Sequence, residues 1–259
     1  MSKISRQEND DKHKIEPVEI DLVARASEID GTHGCEVIVD DVYLAWSGAY
    51  GELELRKYLG NAKSLVYSDI FTSFKENAFA GCENLSEVIL PKTMTEIPKY
   101  MFNGASIETV VIPSTITRIG DCAFLDAKLK HIDIPDSVAS LGTGTFLRCE
   151  YLRDVNLPQF ITEIPDYSFM SIYGPKKIVL PSQVLRIGKQ AFSECNNLEE
   201  VVLPDGLKEI AEEAFAECFF LTSINIPDSV TFIADGAFRA CELSEDTKKR
   251  IQRINPEAF

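Results

Sequence analysis

A phenylalanine returns along this chain at almost constant spacing. It stands at Phe79, Phe102, Phe124, Phe146, Phe169, Phe192, Phe215 and Phe238, in steps of 22 or 23 residues. A proline keeps the same step at Pro91, Pro113, Pro135, Pro158, Pro181, Pro204 and Pro227. A unit that short cannot bury its own apolar face, so successive units must stack. The period therefore predicts a solenoid with an open surface for binding.

The unit has a consistent grammar. Leu85, Val88 and Leu90 give the spacing L-x-x-L-x-L, and Pro91 follows. Val88 and Leu90 alternate with Glu87 and Ile89, which predicts a short strand with one apolar side. Pro91 ends it, because proline has no N–H for a ladder. Met94 and Ile97 return to the core, and Phe102 fills it from the far side. Leu129, Ile132, Ile134, Val138, Leu141 and Phe146 repeat the pattern, as do Leu198, Val201, Leu203, Leu207, Ile210 and Phe215. Turn signals follow the strands at Pro135-Asp136-Ser137, Pro204-Asp205-Gly206 and Pro227-Asp228-Ser229. The first unit is degenerate, with Leu65 and Tyr67 for the strand and Phe71 and Phe74 for the next core positions. Ser171-Ile172-Tyr173-Gly174-Pro175 departs from the pattern, and a local irregularity is expected there.

This grammar is that of a leucine-rich repeat, and one version of it is closely matched. Ile187-Gly188-Lys189-Gln190-Ala191-Phe192-Ser193-Glu194-Cys195-Asn196-Asn197-Leu198 resembles the signature of the BspA-like, or Treponema-type, repeats. The resemblance covers residues 62–243, about 70 % of the chain. It implies a right-handed leucine-rich-repeat solenoid of the α/β repeat type. About eight repeats would place short parallel strands on a concave face, with caps at both ends. The resemblance also implies a binding or adhesive role among bacterial and protist proteins.

Charge narrows the partners. The net charge is −15, which argues against nucleic acid and anionic membrane surfaces. No run approaches the ~18 apolar residues of a membrane span. Residues 1–16 contain no apolar core of a signal peptide, so a cytoplasmic location is expected for the chain as given. A cell-surface or secreted location is the alternative if the chain is part of a longer protein. Cys82, Cys149, Cys195, Cys218 and Cys241 all lie three residues after a repeat Phe. This common phase predicts a ladder of buried, reduced thiols. Zinc spacing is absent.

Four segments are expected: a disordered tail at 1–14, an N-terminal cap at 15–61, the repeat array at 62–243 and a C-terminal cap at 244–259. Within the first cap, residues 36–46 read as a strand pair and Gly51 to Gly60 as a short helix. Capping is the simplest role for 15–61, and a small recognition module around Trp46 is the alternative. At the other end Ser244 caps a helix with acidic residues in its first turn and basic residues toward its last. Ile251, Ile254 and Phe259 keep the spacing of Val230, Ile233 and Phe238, so the tail completes a truncated repeat.

Strand register also assigns the outward residues. One column is Ser64, Glu87, Thr109, His131, Asp154, Lys177, Glu200 and Ser223. The next is Val66, Ile89, Val111, Asp133, Asn156, Val179, Val202 and Asn225. Val66, Ile89 and Val111 form one expected apolar run, and Val179 with Val202 another. Exposed apolar surface marks partner sites, although β-branched residues also suit strands for their own sake. His131, Asp133, Asp154 and Asn156 lie between the runs, where a solvated polar patch is favoured over a cation site. The expected partner-binding face is Val66, Glu87, Ile89, Thr109, Val111, His131, Asp133, Asp154, Asn156, Lys177, Val179, Glu200 and Val202.

Catalysis has little support. The histidines are His13, His33 and His131, and nucleophile-elbow, P-loop and zinc-protease motifs are missing. No cofactor or metal is expected. The sequence therefore predicts a monomeric, non-enzymatic scaffold that binds a protein on its concave sheet. An adhesin-like surface protein binding host protein or glycan is the alternative.

Overall fold

The computed structural model describes residues 35–39, 43–47, 53–66 and 71–259. The expected disordered tail, His13 and His33 lie outside the described residues. Among the described residues, strands β1 (Cys35–Val39), β2 (Tyr43–Ser47) and β3 (Leu53–Tyr58) come first. β1 and β2 pair antiparallel, as the alternation at 36–46 predicts. The short helix expected between Gly51 and Gly60 is instead β3, antiparallel to β2 and parallel to β5 (Phe71–Phe74). Tertiary packing decides this segment. Leu55 and Tyr58 are buried against the first repeat while Lys57 between them is exposed.

From β4 (Ser64–Val66) onward the array is regular. Each later repeat gives a main strand and then a two-residue strand. These pairs are β6 (Glu87–Ile89) and β7 (Glu96–Ile97), then β8 (Thr109–Val111) and β9 (Arg118–Ile119). Next are β10 (His131–Asp133) and β11 (Ser140–Leu141), then β12 (Asp154–Asn156) and β13 (Glu163–Ile164). They continue with β14 (Lys177–Val179) and β15 (Arg186–Ile187), then β16 (Glu200–Val202) and β17 (Glu209–Ile210). The last pair is β18 (Ser223–Ile224) and β19 (Phe232–Ile233). The eight main strands sit at the expected register and form three parallel sheets, β4-β6-β8, β10-β12 and β14-β16-β18, pairing for example His131 with Asp154 and Lys177 with Glu200. The second ladder, in two parts, β7-β9-β11 and β13-β15-β17-β19, is a feature that the apolar pattern of the sequence did not specify. There only one residue of each pair faces the core, so no alternation develops.

The interior is a column of rings. Phe79 through Phe238 stack in sequence, with centroids 5.2–5.4 Å apart and planes within 18° of parallel. Tyr58 lies 5.8 Å from Phe79 at one end, and Phe259 lies 6.2 Å from Phe238 at the other. Each repeat Phe also donates its N–H to the next unit, as Phe102 does to the Ala123 carbonyl at 2.8 Å. Helix α1 (Glu245–Ile254) follows the last repeat, with the Ser244 hydroxyl accepting from the Thr247 N–H. The Glu257 and Ala258 carbonyls then accept from Gly236 and Phe238. The truncated repeat thus supplies the hydrogen bonds a ninth unit would have made.

Residues two before and two after each repeat Phe are left-handed, which aims their N–H groups along the stack. Glycine fills four of these positions and other residues fill twelve. A left-handed L-residue costs about 1–2 kcal/mol, partly offset by the unfolded-state freedom that glycine adds. Ala240, exposed at φ 63°, isolates this effect. Ala240→Gly is expected to raise stability by about 0.5 kcal/mol, read as a higher midpoint in urea unfolding.

The cysteine ladder needs one correction. Cys149, Cys195, Cys218 and Cys241 are buried and unpaired, but Cys82 is only half-buried. The buried four donate to the Phe carbonyl of the preceding repeat at 2.9–3.2 Å. Cys82, in the first repeat, has no preceding array Phe. Burial raises the pKa of Cys149, Cys195 and Cys241, which keeps them neutral. Their stabilising contribution is whole below the ordinary thiol value of 9.0 and is lost as pH rises toward the raised folded values. Melting temperature should therefore fall above about pH 9. In the native protein at neutral pH, Cys82 and Cys122 should react with a thiol reagent well before the buried four, and equal rates would contradict the ladder.

Candidate binding face and a break in the main sheet

The outward face of the main strands carries the expected binding residues. Val111 and Val179 are 40 % and 59 % exposed, while Ile89 and Val202 are half-buried. The apolar runs are thus less exposed than the register alone suggests. The Val66 side chain lies outside the described residues. Glu87, Thr109 and Glu200 are half-buried, and Asp154, Asn156 and Lys177 are exposed. Ion pairs run from repeat to repeat: Lys130 to Glu108 at 2.6 Å, Lys176 to Glu199 at 2.7 Å and Lys177 to Glu200 at 2.8 Å. Such exposed pairs stabilise little individually.

At the centre, the His131 Nε2 lies 2.9 Å from one Asp133 oxygen, and Asn156 donates to the other. Partial burial pushes the Asp133 pKa up, but the bonds from Asn156 and His131 outweigh it and hold the carboxyl below its ordinary range. Among the described residues, no cluster of three or more His, Cys, Asp or Glu side chains is arranged to hold a metal.

The face is not continuous. The column of N–H to C=O bonds leading into the strands runs Ser86 to Lys63, Glu108 to Ser86, Lys130 to Glu108 and Arg153 to Lys130. It resumes with Glu199 to Lys176 and Thr222 to Glu199, and the link from Lys176 to Arg153 is absent. The bond expected from Leu157 to Val179 is absent too, although Ile134 to Asn156 and Leu180 to Val202 are made. Thus β12 and β14 belong to separate sheets; β8 and β10 do too, but there the Lys130 N–H still bonds to the Glu108 carbonyl.

The gap falls at the irregular segment in the sequence. Pro175 takes the position held by Leu152, Leu198 and Leu221, each of which donates its N–H to the residue three before it. Proline cannot make that turn bond. Beside it, a Cβ on Gly174 would lie 1.9 Å from the Leu152 carbonyl oxygen, so two repeats touch there through backbone. Across the gap, inward-facing Val155 and Leu157 are half-buried, whereas Val88, Val110, Ile132, Ile178, Val201 and Ile224 are buried. A cavity of about 960 Å³ opens at this place. It brings together Asp133, Asp154, Asn156, Lys177 and Val179 of the expected face. Glu87, Ile89, Thr109, Val111, His131, Glu200 and Val202 do not line it. Val155, Leu157, Arg153 and Asp136 line it without having been singled out by register, because a fully paired sheet would hide the first two.

The stacked units, their parallel ladders and the ring column define a leucine-rich-repeat solenoid. The BspA type leucine rich repeat region matches residues 57–174 and 119–245, in six copies, and the chain belongs to that family. The crystal structure of a T. pallidum leucine rich repeat protein is similar, at 24 % identity and a TM-score of 0.57, over 88 % of this chain and 96 % of that one. The pneumococcal vaccine antigen PcpA is similar at 17 % identity and a TM-score of 0.55, over 82 % of this chain and 75 % of that one. Among curated proteins, none matches. No helix among the described residues is long and apolar enough to cross a membrane.

Proposed function

We propose that the chain is a non-enzymatic scaffold that binds a protein partner on the outward face of its main sheet. The observation that carries this reading is the cavity at the β12–β14 gap, flanked by exposed Val179 and lined by both apolar and charged side chains. The other unpaired boundary, between β8 and β10, is bridged by the Lys130 N–H to the Glu108 carbonyl and by the Lys130–Glu108 ion pair. Strands β1 to β3 act as the N-terminal cap, supported by Tyr58 against the first ring of the column. The reduced, unpaired thiols suit a reducing compartment.

The test begins with a partner isolated on the full chain and measured by calorimetry. Val111→Glu with Val179→Glu should weaken binding at least ~30-fold, about 2 kcal/mol, because an unpaired charge would face the partner. The control is Phe219→Glu with Phe220→Glu, an exposed aromatic pair away from this cavity. Both double variants should melt within a few degrees of the parent. Loss of binding in the control and retention in the sheet variant would refute the assignment.

A further inference from the structure

We propose that the gap between β12 and β14 receives an extended segment of the partner protein, added as a strand between two facing strand edges. This deepens the reading of the main sheet as the binding face. In a parallel ladder, alternate residues turn their backbone groups to opposite sides. The Asn156 carbonyl accepts from Ile134, so Asp154 and Asn156 face β10. By alternation, Val155 turns its N–H and C=O into the gap, with the Arg153 carbonyl and the Leu157 N–H. On the other side the Leu180 N–H donates to Val202, so Ile178 and Leu180 face β16. Lys177 and Val179 therefore face the gap. No backbone hydrogen bond crosses it.

Open strand edges on both flanks are a template for an incoming strand. The floor would meet every second side chain of that strand. Val155, Leu157, Ile178, Leu180, Phe169 and Phe192 line it, so small or β-branched apolar residues fit inward. The rim selects the alternate side chains. Asp133, Asp136 and Asp154 stand on the β10–β12 side and outnumber its one cation, Arg153, while Lys177 on the far side is already held by Glu200. Lys or Arg is the complementary choice outward, next to Asp154. The recognised chemistry is thus an extended stretch with alternating basic and β-branched residues.

Capped hexapeptides are the probes, titrated into the full chain by fluorescence anisotropy. KVKVKV should bind saturably at one per chain and at least tenfold more tightly than EVEVEV. The same basic peptide with its valine amides N-methylated should lose at least tenfold, since it keeps its charge but lacks those donors. Val179→Pro should weaken KVKVKV at least tenfold and leave the melting temperature within a few degrees, because the Val179 N–H faces the gap and not β16. If that variant does not fold, Asp154→Lys serves instead and should shift preference toward EVEVEV. Equal binding of the methylated peptide would mean charge adsorption on an acidic protein and overturn the proposal. So would the absence of saturable binding, or unchanged binding by the variants. Sedimentation showing a dimer that Val179→Pro breaks would make the occupant a second copy of this chain, which also overturns it. If the peptides fail while Val111→Glu with Val179→Glu still abolishes binding of the isolated partner, strand addition is wrong and the scaffold reading stands. If the partner ignores the sheet variant, the scaffold reading itself fails.

Discussion

Phe124→Ala is expected to lower stability by about 3–5 kcal/mol, the largest loss from any single ring in the array. Phe124 is fully buried and lies between Phe102 at 5.2 Å and Phe146 at 5.4 Å. Truncation removes its own transfer energy and leaves a void whose walls are two other rings. Those walls cannot collapse freely, because hydrogen bonds from repeat to repeat hold their backbone, such as Phe124 N–H to Thr145 at 3.0 Å. The offset contacts to both neighbours are lost as well. In a solenoid each repeat is stabilised mainly by its neighbours, so a break in mid-array weakens both halves. Urea unfolding followed by circular dichroism reads the loss. A change below about 1 kcal/mol would mean that the ring column does not carry the core as described.

Gly174→Ala should cost about 3 kcal/mol, at the upper end of ordinary overpacking. The new Cβ would sit 1.9 Å from the Leu152 carbonyl oxygen and 2.5 Å from the Arg153 Cα, all backbone, which cannot rotate away. The repeats must separate there, next to Arg153 and Pro175 of the cavity lining. Gly104→Ala gives the contrast. Its Cβ would meet nothing within 4 Å, but its φ is +64°. Only the left-handed penalty applies, about 1 kcal/mol. Comparable losses from the two substitutions, measured by thermal and urea unfolding, would contradict the close contact at Gly174.

The sequence carried the repeat and the main-strand register because both rest on periodic, fully buried side chains. The Phe column, the Val88/Leu90 alternation and the Ser244 cap were legible for that reason. Gly51 to Gly60 was misread because Leu53, Leu55, Tyr58 and Leu59 suit a helix as well as a strand, and pairing with β2 and β5 decides between them. The second ladder was illegible because Ile97, Ile119 and Ile164 each face the core alone, and two-residue strands have no period to detect. The left-handed positions were hidden for another reason. Twelve of them are filled by residues such as Tyr100 and Gln190, which carry no local signal for that conformation. At the binding face, register identified which residues point outward. It did not identify the gap, whose visible signs were Gly174-Pro175 in a place where neighbouring repeats carry leucine.

Hydrogen exchange of individual amides in the native protein tests the open gap most directly. The N–H groups of Ile134, Glu199 and Leu180 are bonded to the next or preceding repeat, whereas those of Leu157 and Lys176, at equivalent positions, have no such acceptor. Leu157 and Lys176 should exchange about a hundredfold faster or more than Ile134, Leu180 and Glu199 after correction for intrinsic rates. Matching protection at all five amides would show that β12 and β14 pair in solution, and the binding site described between them would not exist.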